Sequence, residues 1–339
     1  MQNKILVIAE IGVNHNRDLK LAFEMIDAAA STGADIIKFQ TAIPELVQTS
    51  DAPKAAYQEI STADMATAMD MTRSFHFEHE TFATLKAEVE SYGCEFLSTA
   101  FDLKSLSYLS TLNPKRYKIP SGEITNQPYL KAIAKTGKPV IMSTGLCTFE
   151  EVAGSIEYLV QNGTKRELLS LLQCTTSYPT PDNEVNLAAM AFLREEFGLE
   201  VGLSDHSVGV TASVAAAALG ATIIEKHFTI DKDLPGPDQK TSLEPNEFRD
   251  LVDQIRRVEL MIGSGSKSPS AAEIGNMDAV RRGVYLAHDL VEGHVIREED
   301  LVCLRPLSEV PANKFDEVLG KRLTKSLPRQ HPLQWSDFG

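Results

Sequence analysis

Three things are scarce in this 339-residue chain, and each scarcity removes a class of function. No apolar run approaches the ~20 residues that would span a bilayer. Basic residues are in deficit: 33 Lys and Arg against 47 Asp and Glu leave a net charge of −14. A nucleic-acid backbone would be repelled by that surplus, and an anionic substrate would need a local cationic pocket. Cysteines number four, at Cys94, Cys147, Cys174 and Cys303, with no CxxC pair. A disulfide framework is therefore not expected, and a reducing cytoplasm is the expected setting. The opening MQNKILVIAEIG has too short an apolar run, and no small-residue cleavage site, for a secretory signal; it reads as a first strand.

What is present is alternation. Short apolar runs at 4–9 (followed by Glu10), 35–40, 94–101, 116–123, 138–145, 167–175, 200–206 and 221–228 read as strands. Amphipathic stretches such as 19–33, 79–93, 149–163 and 209–220 read as helices between them. Between residue 41 and residue 78 the pattern is irregular. A doubly wound sheet would also alternate, but eight strands over about 260 residues favour a (β/α)8 TIM barrel. Its strands are nearly continuous in hydrophobicity, as in a parallel sheet covered on both faces. The helix at 246–263 closes a barrel domain over 1–263. The small, polar stretch 264–276 reads as a linker. The remaining 277–339, with strand-like GVYLAH and LVCLRPL and helix-like ANKFDEVLG, reads as a small β-rich domain.

In such a barrel, function sits at the C-terminal ends of the strands. There the chain places Glu10; Lys38 and Gln40; Ser98 and Thr99; Lys118, Ser121 and Glu123; Ser143 and Thr144; Cys174, Thr175, Thr176 and nearby Tyr178; Ser204, Asp205 and His206; Glu225 and His227. A polar strand end taken singly is ordinarily just solvated, but eight at one mouth are not. Two lysines and several hydroxyls make a phosphate site. His206 and His227 fall on consecutive strands, and two neutral imidazoles suit a divalent ion such as Mn, Zn or Co, with substrate and water completing its shell. By alternation Lys226 points out of the barrel and reads as structural, whereas Glu225 shares the face of His227 and could orient it.

Taken together, AEIGVNHN (9–16), IIKFQT (36–41), FLSTAFD (96–102), YKIPSGEI (117–124), MSTGL (142–146), CTTSYPTP (174–181), GLSDHS (202–207) and IEKHFTIDKDLPGPD (224–238) resemble the sialic acid (nonulosonic acid) synthase family. The tail resembles that family's SAF, or antifreeze-like, domain, with Leu304 where lysine is usual. The resemblance implies that phosphoenolpyruvate is held by Lys38, Thr99, Lys118, Ser121, Ser143 and Ser204. It implies that His206 and His227 bind a divalent metal, Mn2+ first with Mg2+ or Co2+ as alternatives, and that Glu10 and Glu123 serve catalysis. Gln40, Thr176, Tyr178 and Asp238 would line the sugar side. Arg305 would reach the partner subunit's site in a domain-swapped homodimer. Segments 118–138 and 174–190 look most like bacterial N,N'-diacetyllegionaminate synthases. Pro120 and Thr176, where neuraminate synthases commonly have glycine and asparagine, point the same way; neuraminate and pseudaminate synthases are the alternatives. Kdo 8-phosphate and DAHP synthases share the reaction type, but their phosphorylated acceptors call for an arginine cluster that the barrel sequence lacks. A carbohydrate- or ice-binding protein would leave the strand-end lysines and histidines without a use.

Overall fold

The computed structural model describes residues 4–55, 58, 62 and 65–339. They form two compact units, Met1–Gly263 and Ser264–Gly339. The first contains eight parallel strands: β1 (Leu6–Gly12), β2 (Ile36–Thr41), β3 (Glu95–Ala100), β4 (Tyr117–Ile119), β5 (Val140–Ser143), β6 (Leu169–Cys174), β7 (Glu200–Asp205) and β8 (Ile223–His227). They pair in the order β3-β2-β1-β8-β7-β6-β5-β4. The end strands β3 and β4 lie against each other, so the sheet curls into the near-closed TIM-like barrel expected from the sequence.

Period-two alternation explains both the barrel and its chemistry. Outward residues such as Val7, Ala9, Ile37, Phe39, Leu171, Val201 and Ile224 join the helices in the main core. Inward, Ile8, Ile36, Leu97, Ile141, Leu172 and Ile223 form a separate aliphatic plug. One step further along each strand the inward positions turn polar. The barrel is thus filled below and reactive above. Gly202 keeps the plug tight: a Cβ there would lie 2.1 Å from the Ile223 carbonyl oxygen.

The surrounding helices follow their local signals. Leu19–Ser31 starts at Asp18, whose carboxylate accepts from the Lys20 and Leu21 amides, and buries Ala22, Met25, Ile26 and Ala29 on one face. Phe149–Gln161 starts with a Thr148/Glu151 capping box. β4 is shorter than the 116–123 expected. Pro120 has no N–H for the ladder, and Ser121–Glu123 turns instead into a 3-10 helix.

In the second unit, β9 (Gly283–Leu286) and β10 (Leu301–Leu304) form an antiparallel pair over a core that includes Val284, Leu286, Val310 and Leu333. The segment expected to be helix-like is a 3-10 helix, Ala312–Val318. The 264–276 stretch contains a single helical turn, Ala271–Ile274. Among the described residues no helix is long and apolar enough to cross a membrane.

Candidate active site

At the C-terminal mouth of the barrel lies a cavity of about 450 Å³. Of the residues singled out from the sequence, Glu10, Lys38, Gln40, Thr99, Lys118, Ser121, Ser143, Thr176, Tyr178, Ser204, His206, His227 and Asp238 all line it. The convergence follows from the register: Glu10 pairs with Lys38 across β1–β2, Glu10 with His227 across β1–β8, and Ser204 with Glu225 across β7–β8.

The floor is an ionic lattice. Lys38 Nζ lies 2.8 Å from Glu10 Oε2 and 3.7 Å from Glu225 Oε2, and donates to Thr99 Oγ1 at 3.2 Å. Lys118 Nζ donates to Ser143 Oγ at 2.7 Å and lies 3.3 Å from Glu225 Oε1. Ser204 Oγ donates to the same carboxylate at 3.2 Å. All four charged side chains are buried, so each one's protonation depends on its neighbours. Burial alone would raise Glu225, but Lys118 and Lys38 override it and hold the carboxyl at about 2. Burial pushes Glu10 up to about 7, Lys38 opposing and Glu225 reinforcing the shift. Lys118 is lowered by burial, with Glu225 opposing. Glu225 is therefore the ionised bridge between the lysines. It makes no hydrogen bond to His227, whose Nδ1 is buried without a partner, so its expected role of orienting that histidine is corrected.

One wall is aromatic and imidazole. The rings of His206 and His227 have centroids 5.6 Å apart, and Tyr178 packs on His206 at 4.1 Å. His206 Nδ1 lies 2.9 Å from the Thr175 carbonyl. A carbonyl only accepts, so Nδ1 carries the proton and Nε2 keeps its lone pair in the neutral ring. Burial lowers His206, but Cys174, the Thr175 carbonyl and Glu225 more than offset it. Burial, with His206 and Lys38 adding to it, drives His227 well below the usual imidazole range. With nitrogen–metal bonds of ~2.0–2.1 Å, two imidazoles on one ion have centroids roughly 5–6 Å apart. The spacing of the pair fits a divalent ion. Among the described residues no group of three or more His, Cys, Asp or Glu forms a ready metal cage.

Two of the expected residues are not in this cavity wall. The 3-10 turn after Pro120 directs Ser121 inward, where Gly145 N donates to its hydroxyl at 3.0 Å. The same turn carries Glu123 outward to accept from Asn126 Nδ2 at 2.5 Å. The catalytic placement of Glu123 is corrected accordingly. Arg305 belongs to the second unit. Several other strand-end polar residues bond within the fold: Thr144 donates to the Leu172 carbonyl, Thr175 to that of Glu184, and the Ser98 and Thr41 hydroxyls pair with each other. Asn14 donates to the Phe228 carbonyl and to Ser242. Lys226 is buried outside the barrel, as expected, 3.0 Å from Asp205 and bonded to the Ser207 carbonyl.

The sequence reading missed the opposite wall. Val13, Ala42, Pro53, Ala68, Met71, Phe75 and Phe101 line the cavity there. A signal existed: a connection of this length between a strand and the next barrel helix is uncommon unless it serves a site.

The NeuB family profile matches residues 25–267, and the SAF domain profile matches residues 281–339. The chain is 44% identical to N,N'-diacetyllegionaminic acid synthase of Campylobacter jejuni, over 95% of this chain and 97% of that protein. It is 42% identical to the synthase of the same name from Legionella pneumophila, over 97% and 93% of the two. Among solved structures, the N-acetylneuraminic acid synthetase of Leptospira borgpetersenii in complex with citrate superposes with a TM-score of 0.71 at 32% identity. That match covers 81% of this chain and 90% of that one.

Proposed function

The chain belongs to the NeuB family and carries a SAF domain, and from that premise we propose that it condenses phosphoenolpyruvate with 2,4-diacetamido-2,4,6-trideoxymannose to give N,N'-diacetyllegionaminic acid and phosphate. The enzyme is a transferase that forms a carbon–carbon bond. The observation that carries the reading is near-full-length likeness to two synthases of that product, in a chain whose barrel mouth gathers two buried lysines around one cavity.

Phosphoenolpyruvate brings a phosphate and a carboxylate to the ionic floor. Lys38 and Lys118 face these anions, while Thr99, Ser121, Ser143 and Ser204 offer short hydroxyl donors. Glu225 remains ionised and opposes the cost of burying both lysine ammonium groups. C3 of the enol attacks the aldehyde carbon of the open-chain sugar, and the carbonyl electron pair becomes the new hydroxyl after protonation. A divalent ion held by His206 and His227, Mn2+ with Mg2+ or Co2+ as alternatives, supplies electrophilic polarisation of the aldehyde when bound. Water adds at C2, and Glu10, with a pKa of about 7, takes its proton. The tetrahedral carbon then expels phosphate by C–O cleavage, a departure that the lysines stabilise. Gln40, Thr176, Tyr178 and Asp238 surround the sugar. In the homodimer that belongs to this proposal, Arg305 of the partner subunit completes that side.

The test is a substrate panel read by product mass and phosphate release. The diacetamido trideoxy sugar should exceed N-acetylmannosamine in kcat/KM by roughly tenfold or more. A preference for N-acetylmannosamine, or for the precursor of pseudaminate, overturns the choice of product.

A further inference from the structure

We infer that Met71 and Phe75 form a specificity wall that selects sugars with a methyl rather than a hydroxymethyl group at C6. The inference rests on the reading above and names what enforces it. The helix Ala68–Phe75, started by a Thr67 cap, buries Ala68, Met71, Thr72 and Phe75 along one face. That face does not join the barrel core. Val13, Met71 and Phe75 make a separate cluster with Met65, and these three residues line the cavity that holds Glu10 and Lys38. An amphipathic helix whose apolar stripe ends in a ligand cavity is positioned for contact with a ligand.

The polar atoms on this face are engaged except for His76 Nε2, which is buried without a hydrogen-bond partner. Thr72 Oγ1 donates to the Ala68 carbonyl and accepts from Gln48 Nε2 at 2.8 Å. His76 Nδ1 bonds the Thr72 carbonyl. Met71, Phe75 and Val13 present thioether, phenyl and isopropyl groups to the cavity, with the His76 ring beside them.

At C6 the two candidate sugars differ in a way that such a wall can read. N-acetylmannosamine carries hydroxyls at C4 and C6. The trideoxy sugar carries an acetamido group and a methyl there. A hydroxyl set against Met71 and Phe75 gives up water with no replacement partner, whereas a methyl gains by leaving water. An apolar pocket discriminates against an added hydroxyl by up to ~10²-fold, so the wall accounts for a preference of that order.

The experiment uses the full-length enzyme. Met71→Gln keeps the length and helix propensity of the side chain but gives the wall an amide. The kcat/KM ratio of the trideoxy sugar over N-acetylmannosamine should fall roughly 10- to 100-fold, with KM for phosphoenolpyruvate unchanged. Val13→Thr, nearly the same shape with one hydroxyl, should shift the ratio in the same direction and serves if Met71→Gln does not fold. Phe75→Leu, still apolar, should keep most of the preference. If folded variants lose both sugars equally, or leave the ratio within about twofold, the wall is overturned while the proposed function stands. A wild-type preference for N-acetylmannosamine overturns both. A wild-type preference for a different deoxy sugar, together with the expected ratio shift, overturns only the choice of product.

Discussion

Replacing Asp238 by asparagine should stabilise the enzyme while impairing it. Asp238 is 7% exposed at the end of the DLPGPD loop, and no ion pair among the described residues includes it. Burial raises its pKa from 3.8 to about 6, with His206 and Lys38 pulling the other way. The folded chain therefore holds a proton between those values that the unfolded chain has lost, and stability falls as pH rises through that window. The rise from 3.8 to about 6 corresponds to about 3 kcal/mol above the window. An asparagine amide, neutral in both states, escapes the cost. Asp238→Asn should be more stable than wild type by up to about 3 kcal/mol near pH 8, the gap closing to about half a kcal/mol near pH 4. The assay is denaturant unfolding of the full chain without substrate or metal, followed through the barrel's transition, alongside turnover of the amino sugar. A gap that is independent of pH, or that widens toward acid, refutes the reasoning. A variant that keeps full activity would show that the carboxylate does not serve the sugar.

A divalent ion at ~100 times its Kd should stabilise the wild type by about 2.7 kcal/mol, and Mn2+ should leave the Tm of His227→Ala unmoved; an equal rise in that variant would remove His227 from the site. Lys226→Met strands Asp205 in the layer between sheet and helices and should cost about 3–5 kcal/mol in unfolding experiments, with KM for phosphoenolpyruvate little changed. Mixing inactive Arg305→Ala and inactive His206→Ala subunits should restore part of the activity through hybrid sites. Verified heterodimers without recovery would exclude a site shared between subunits.

The barrel and its ionic floor were legible because both rest on local alternation. Inward positions switch from Ile8, Ile36 and Leu172 to Glu10, Lys38 and Cys174 within two residues, and strand periodicity alone carries that switch to the mouth. The short motifs around His206 and His227 were enough to place both imidazoles on neighbouring strands. Periodicity does not encode which charges meet across the ring. Glu225 shares a face with His227, yet it pairs with Lys38 and Lys118, because buried cations on other strands attract its carboxylate more strongly than a neutral imidazole does. Nor does it encode backbone direction after a strand ends: one 3-10 turn following Pro120 sends Ser121 inward and Glu123 outward. The apolar wall was hidden for a related reason. Val13 and Met71 are far apart in sequence and meet only because the loops after β1 and β2 rise from adjacent strands. The sequence by itself thus determined the ring, its reactive end and the groups offered there. The tertiary structure decided their pairings, their protonation and the hydrophobic surface that faces them, since burial and electrostatics arise only once distant segments are brought together.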